Sequence, residues 1–205
     1  KKLGVIACFY DCARFVDRIL PQWLENIDVE VCIVHGQFKE YREMGYEPSD
    51  SETIGRIVPY STAVKTFFLK EAKTEAETRD VALKYLLSRG CENILLLDGD
   101  EIYSADEIQN ILNYIDREPF IAWSRINFKN LTFDELTYTT DFCPPRLFKV
   151  NHNGLRLERF RWDNDLVYKN LDGATVDYTA LPSKVISSSL VHPLHFSWSD
   201  PKKSK

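Results

Sequence analysis

None of the five cysteines, Cys8, Cys12, Cys32, Cys91 and Cys143, forms a C-x-x-C pair, which removes a zinc knuckle. Their odd number, with Cys8, Cys32 and Cys91 in or beside apolar stretches, suits reduced core thiols and a reducing, cytoplasmic compartment, with a membrane-peripheral site as its variant. No apolar run is long enough to span a bilayer, and no stretch reads as a signal peptide. Basic residues are not in excess: 26 Lys and Arg stand against 31 Asp and Glu, for a net charge of −5. With no basic patch, nucleic acid is not an expected partner. The opening stretch "ACFYDCARF" holds no glycine, so no glycine-rich phosphate loop begins the chain.

What is present is apolar. Hydrophobic residues make up 44% of the 205 positions and aromatics 13%, enough for the core of a single domain. The ending "SDPKKSK" reads as a tail or linker (199–205), so the chain is expected to be part of a longer one.

"LGVIACFY" is a short apolar run of strand type. Phe15, Val16, Ile19, Leu20, Trp23, Leu24 and Ile27 then recur at helical spacing, with Pro21 expected to kink the helix. "VEVCIVH" is a second strand, and β-α-β favours a parallel sheet. Residues 36–53 read as a loop or short irregular elements, "IGRIVPY" as a short third strand, and Ser61 to Arg89 as helix closed by Gly90. "NILLLD" is the next buried strand. Ser104 and Glu107 form a capping box before another helix. Beyond Pro119 the texture is irregular: "FIAWSRINF" and "PPRLFKV" resemble strands, "LERFRWDNDLVY" fits strand or helix, and "SSSLVHPLHFSW" reads as a strand and a turn. The expected fold is α/β, with a mostly parallel central sheet flanked by helices. It forms one domain over 1–205, with a nucleotide-binding half (1–103) and an acceptor half (104–198).

The informative stretch is "NILLLDGDEIYS". In open α/β sheets ligands bind beyond the carboxyl ends of strands, and here such an end carries Asp98, Gly99, Asp100 and Glu101. Two carboxylates one residue apart suit a hard divalent cation, Mg²⁺ or Mn²⁺, and Gly99 admits a close backbone approach. Arg79 falls on the inward stripe Ala72, Ala76, Leu83, Leu86 of the preceding helix. A guanidinium there needs an anion, either a carboxylate or a bound phosphate.

These segments together resemble a family 2 glycosyltransferase of GT-A fold. "GVIACFYDCARFVDRILPQWLEN" is similar to that family's opening strand, turn and helix, "TEAETRDVALKYLLSRGCENILLLDGDE" to its helix and D-x-D strand, "PPRLFKVNHNGLRL" to an Arg-Leu-Phe segment, and "VHPLHFSW" to a segment whose histidine completes the metal shell. Arg79-Asp80 stand where Arg-Asn is usual, and Val34-His35-Gly36 where an acid usually reads the base.

The resemblance implies transfer of a sugar from a nucleotide-diphosphate sugar, UDP-linked by preference, to an acceptor hydroxyl on a glycan or glycoconjugate. That is a hexosyltransferase-like step in carbohydrate biosynthesis. It implies nucleotide contacts at Cys8, Phe9, Tyr10, Arg79, Asp98 and Gly99. It also implies Mn²⁺ (or Mg²⁺) held by Asp98, Asp100 and His195, with His192 as the alternative. Asp100 is the expected direct ligand, with Asp98 nearer the ribose or behind the direct ligands. Asp163 or Asp165 in "WDND" is the expected catalytic base, and Glu101 the other acid near the site. Trp123, Phe142, Trp162 and Trp198 are candidates for stacking on a sugar. The rival functions are a non-catalytic nucleotide-sugar or partner-binding domain and, more weakly, a metal-dependent phosphatase, whose D-x-D would end the first strand of its fold.

Overall fold

The computed structural model describes residues 1–45, 50–71, 73–131, 142–161 and 165–196, apart from the side chains of residues 40 and 41. β1 (Leu3–Phe9) is buried along its whole length, as an apolar strand covered on both faces must be. α1 (Ala13–Leu24) runs through Pro21 and buries Phe15, Val16, Ile19, Leu20 and Trp23. β2 (Val29–His35) completes a parallel β-α-β unit. Then come α2 (Lys39–Glu43), α3 (Ser51–Ile57), a 3₁₀ turn, β3 (Lys65–Phe68), α4 (Glu75–Ser88), β4 (Asn93–Asp98), β5 (Glu101–Ile102) and α5 (Ala105–Arg117). The rest of the described chain is built of strands: β6 (Trp123–Arg125), β7 (Lys129–Asn130), β8 (Pro145–Lys149), β9 (Asn151–His152), β10 (Leu155–Phe160), β11 (Leu166–Lys169), β12 (Thr175–Asp177), β13 (Ser183–Val185) and β14 (Leu194–His195).

Seven strands form the main sheet in the order β13-β6-β8-β4-β1-β2-β3. β3, β2, β1 and β4 are mutually parallel, and β8 joins antiparallel to β4. The chain leaves β1 toward β2 and β3, then returns to pair β4 on the other flank of β1. That reversal between β1 and β4 is the point at which open α/β sheets form a ligand crevice. Cys8 and Asp98 sit opposite each other there. Side chains alternate across β1. Leu3, Val5, Ala7 and Phe9 pack with α1 and α5; Ile6 and Cys8 pack with α4, β10 and β11.

Several expectations change. "IGRIVPY" is not a strand: Asp50 caps α3 by accepting from Thr53 N, and Pro59 sits in the 3₁₀ turn. The third parallel strand is instead Lys65–Phe68, inside the stretch read as helix from Ser61. It is an edge strand with half-exposed side chains, so it lacks an apolar run. The helix starts only after Thr74, which forms a capping box with Glu77. α1 stops at Leu24, leaving Ile27 outside the stripe and 82% exposed. The ambiguous "LERFRWDNDLVY" holds two antiparallel strands, β10 and β11.

Candidate functional site

The acids after β4 form a tight turn. Glu101 accepts from Asp98 N at 3.3 Å, and the close approach to β1 explains Gly99. A Cβ on Gly99 would come within 2.5 Å of Cys12 Sγ and 3.0 Å of Cys8 O. No other residue fits without displacing the β1–α1 turn.

Two arginines come to this turn. Arg79 Nη2 donates to Asp98 Oδ1 at 2.8 Å, and Arg146 Nη2 to Asp98 Oδ2 at 2.7 Å. Arg146 also donates to Glu101 Oε1, from Nε at 3.0 Å and from Nη2 at 2.5 Å, and Arg79 pairs with Glu75 one turn earlier on α4. Both arginines are 1% exposed. A buried cation persists only when paired, so the anion expected for Arg79 is a pair of carboxylates. Burial pushes the Asp98 carboxyl up, but the guanidiniums of Arg146 and Arg79 outweigh it and hold the group well below the usual carboxylate range. Glu101, 0% exposed, goes the other way: burial lifts it to about 8 against the pull of Arg146.

The C-terminal segment arrives through a small sheet. β14 pairs antiparallel with β5 and parallel with β7, so His195 lies opposite Glu101 on one side and Asn130 on the other. Phe196 N donates to Asp100 O at 3.1 Å. The His195 ring is stacked on Phe142 at 4.2 Å between centroids, and its Nδ1 lies 2.9 Å from Asn130 Oδ1. With that oxygen as acceptor, Nδ1 carries the proton and Nε2 the lone pair.

These groups surround a cavity of about 240 Å³. Its wall includes Cys8, Phe9, Tyr10, Asp98, Gly99, Asp100, Phe142 and His195. The structure thus brings together the residues expected at the ends of β1 and β4 and the distant histidine. Burial raises the Cys8 thiol to about 12, so Cys8 contributes shape rather than a nucleophile. Arg79 is not on the wall; it stands behind Asp98. His192 is exposed and lines a different cavity, beside Ser104 and Glu107. Asp165 lies at the start of β11, 3.3 Å from Arg161, away from this wall. Asp163, Trp162 and Trp198 lie outside the described residues, as does Ala72. Trp123 is core, packed edge-on against Tyr178.

The other side of the cavity was not expected. Val34, Gly36 and Phe38 from the end of β2, and Glu75 and Thr78 from α4, complete the wall. Phe38 forms a bridge with Lys73, just before α4. His35 meets an acid from elsewhere in the chain: Asp50 Oδ2 lies 3.0 Å from His35 Nε2 and accepts from Asp11 N at 2.5 Å. Asp11 has φ 50, a left-handed turn that follows Tyr10.

The donor set suits a hard cation only in combination with a ligand. Both Asp98 oxygens accept from guanidiniums, and among the described residues no three His, Cys, Asp or Glu side chains are grouped to hold a metal. Asp100 and His195 both stand on the wall, and two such donors suit a cation that completes its shell with phosphate oxygens and water.

No protein-family model and no curated protein matches this chain. Solved structures do. The S. aureus TarS fragment 1–349 aligns with a TM-score of 0.56 at 14% identity, covering 96% of this chain and 61% of the fragment. The same fragment in complex with UDP-GlcNAc aligns at 0.47 and 17% identity, covering 64% of this chain and 35% of that one. Its complex with UDP gives 0.47 and 17%, covering 64% and 36%. At these identities the likeness is one of fold. It is the expected one: α/β of GT-A type, with a large, mostly parallel sheet flanked by helices. The chain spans between about a third and three-fifths of these TarS fragments. Among the described residues no helix is long and apolar enough to cross a membrane.

Proposed function

We propose that the chain is a metal-dependent glycosyltransferase, moving a sugar from a nucleoside diphosphate sugar, UDP-linked by preference, to an acceptor hydroxyl on a glycan or glycoconjugate. The observation that carries this reading is the convergence of Asp98, Gly99, Asp100 and His195 on one cavity at the strand-order reversal. The wall carries Asp98, Asp100 and His195, and with them the rings of Tyr10 and Phe38 and the apolar Val34. A nucleotide sugar likewise combines a charged diphosphate with a flat base.

In this reading Asp100 and His195 would hold Mn²⁺ (or Mg²⁺), with Asp98 steadying the turn from behind. When bound, the cation supplies charge neutralisation for the leaving diphosphate. The chain's own residues do the rest. Asn130 keeps the His195 lone pair on Nε2. Arg79 and Arg146 fix Asp98, so Asp100 is presented on a rigid turn. Phe9 and Tyr10 flank the nucleotide. An inverting transfer also needs a base for the acceptor proton. Asp165 is engaged by Arg161, so Asp163 is the stronger candidate.

UDP release from UDP-GlcNAc, the compound bound in the TarS complex, is the first assay, run with Mn²⁺ and with EDTA beside calorimetric titration of UDP. Turnover and UDP binding that both need the cation support the reading. Equal UDP affinity in Mn²⁺ and EDTA overturns the metal's part, and no binding of any nucleotide overturns the whole.

A further inference from the structure

β5 and β14 form a ribbon with two faces, and the donor cavity uses only one of them. In their antiparallel pairing Glu101 stands opposite His195, and Ile102 opposite Leu194. Side chains alternate along a strand. His195 turns to the donor cavity, while Leu194 and Ile102 line a second cavity, of about 700 Å³, on the other side. Ligand sites of this size are ordinary. The walls are fixed by the chain's own hydrogen bonds. Asn110 Nδ2 donates to Leu190 O at 2.9 Å, and Leu190 N and Val191 N donate to Ser187 O at 2.9 and 3.1 Å. The loop before β14 is thereby held against α5. Glu107 accepts from His192 N at 2.7 Å and from Ser104 N at 2.8 Å, so the start of α5 is capped from within and offers no anion site.

The lining decides the class of ligand. Ile102 and Leu194, side by side on the ribbon, are its apolar part. Arg18, Gln22, Asp106, Asn110, Ser188 and Ser189 add hydrogen-bond donors and acceptors in mixture. One guanidinium, that of Arg18, stands with two carboxylates, Asp106 and Glu107, so the charge does not favour a phosphate-bearing ligand. An acyl chain would cover the polar groups and leave them without partners. A neutral sugar suits both parts: its C–H face meets the apolar residues, and each of its hydroxyls can donate and accept.

We propose that this cavity is a second saccharide site, which holds the acceptor glycan by sugar units other than the one that reacts; its role in transfer rests on the glycosyltransferase reading above. The ribbon separates it from the donor cavity, and Phe196 N, donating to Asp100 O at 3.1 Å, ties that ribbon to the turn after β4. A glycan bound here is anchored beside the donor cavity without entering it. The preformed walls lower the cost of holding it.

The test is an NMR titration of backbone amides with chitotriose, maltotriose and mannotriose, without nucleotide or metal. UDP affinity in Mn²⁺ is measured by calorimetry on the same proteins. At least one trisaccharide should shift the amides of residues 102–110 and 188–194, with a Kd of about 1 mM or tighter. Ala105→Trp and Ser188→Trp place bulk in the cavity from opposite walls, at exposed positions. Saccharide affinity should fall at least about tenfold in each, and UDP affinity should stay within about twofold of the wild type. Loss in either variant at an unchanged melting temperature supports the site. Three outcomes overturn it: no trisaccharide binds, the shifts fall at Cys8–Tyr10 and Asp98–Asp100 instead, or both tryptophan variants bind saccharide as the wild type does. A wild type that binds a trisaccharide here but no UDP keeps the saccharide site and overturns the donor reading alone.

Discussion

Arg146 Nη2 donates to Asp98 Oδ2 at 2.7 Å, so a strand from the second half of the chain secures the carboxylate that ends β4. Arg146→Met would leave Asp98 with one guanidinium and Glu101 without its buried partner. Breaking a buried pair from one side costs about 3–5 kcal/mol, and urea unfolding should record a loss of that order. Adding Glu101→Gln replaces the buried acid that has lost its partner by an amide and should restore part of it. Little loss in Arg146→Met would mean that the network contributes nothing to the fold.

The sheet was readable where its strands are buried. "LGVIACF", "VEVCIVH" and "NILLLD" are continuous apolar runs, and all three are central. β3 carries no such signal because an edge strand needs no apolar run, while the T-x-x-E pattern in "TEAE" is the capping box that starts α4. The site was half legible. Asp98, Gly99 and Asp100 show themselves by lying at a strand end, and His195 by the resemblance. Arg146 carried a signal too, a charged residue inside "PPRLFKV" that had to find an anion. Glu75, Thr78 and Phe38 carried none. Their meeting depends on β2 lying next to β1 and on a single bridge between Phe38 and Lys73.

Gly99→Ala tests the crowding at the strand end. The added methyl meets the Cys12 thiol at 2.5 Å and the Cys8 carbonyl at 3.0 Å. The backbone contact cannot rotate away, so the turn must shift. Overpacking of this kind costs about 1–3 kcal/mol. Unfolding curves should show it, and UDP affinity should fall with it. A variant as stable as the wild type would mean that β1 and β4 separate easily.

Asp50 gives a pH signature. Burial pushes its carboxyl up, but hydrogen bonds from His35, Asp11 N and Thr53 outweigh it and hold the group below its ordinary 3.8. A depressed acid contributes stability above its unfolded value and loses it as the pH falls through the folded one. Asp50→Asn should therefore melt below the wild type at pH 7, and the gap should close as the pH drops below about 4. A gap that is constant with pH would assign the loss to shape rather than charge.

Asp163 and Asp165 separate by turnover. Asp165 shares Arg161 with Asp177 at a partly exposed site, where ion pairs contribute at most about 1 kcal/mol. Asp165→Asn should keep UDP-GlcNAc turnover within about threefold and lower the melting temperature slightly, whereas loss of a general base costs about 10²–10⁴ in rate. The larger loss is expected for Asp163→Asn. If Asp165→Asn shows it instead, the assignment reverses.

The two histidines of "VHPLHF" make the sharpest internal control, since Pro193 and Leu194 alone separate them. His192 is exposed, and its backbone N–H donates to Glu107 Oε1 at 2.7 Å. His195 is 3% exposed, stacked on Phe142 and held by Asn130. An imidazole oriented by a fixed acceptor on its other nitrogen is set up to give its lone pair to a cation, and losing such a ligand weakens binding far more than losing a neighbour does. Mn²⁺ affinity in the presence of UDP should therefore fall at least tenfold, about 1.4 kcal/mol, in His195→Ala and in Asp100→Ala, and remain at the wild-type value in His192→Ala. Removing His195 also leaves a gap beside Phe142, so melting temperature without ligand must be recorded alongside. His195→Gln, which fills more of the space, should recover stability but not Mn²⁺ affinity. If Gln restores both, the ring matters for packing alone, and water must take its place on the cation.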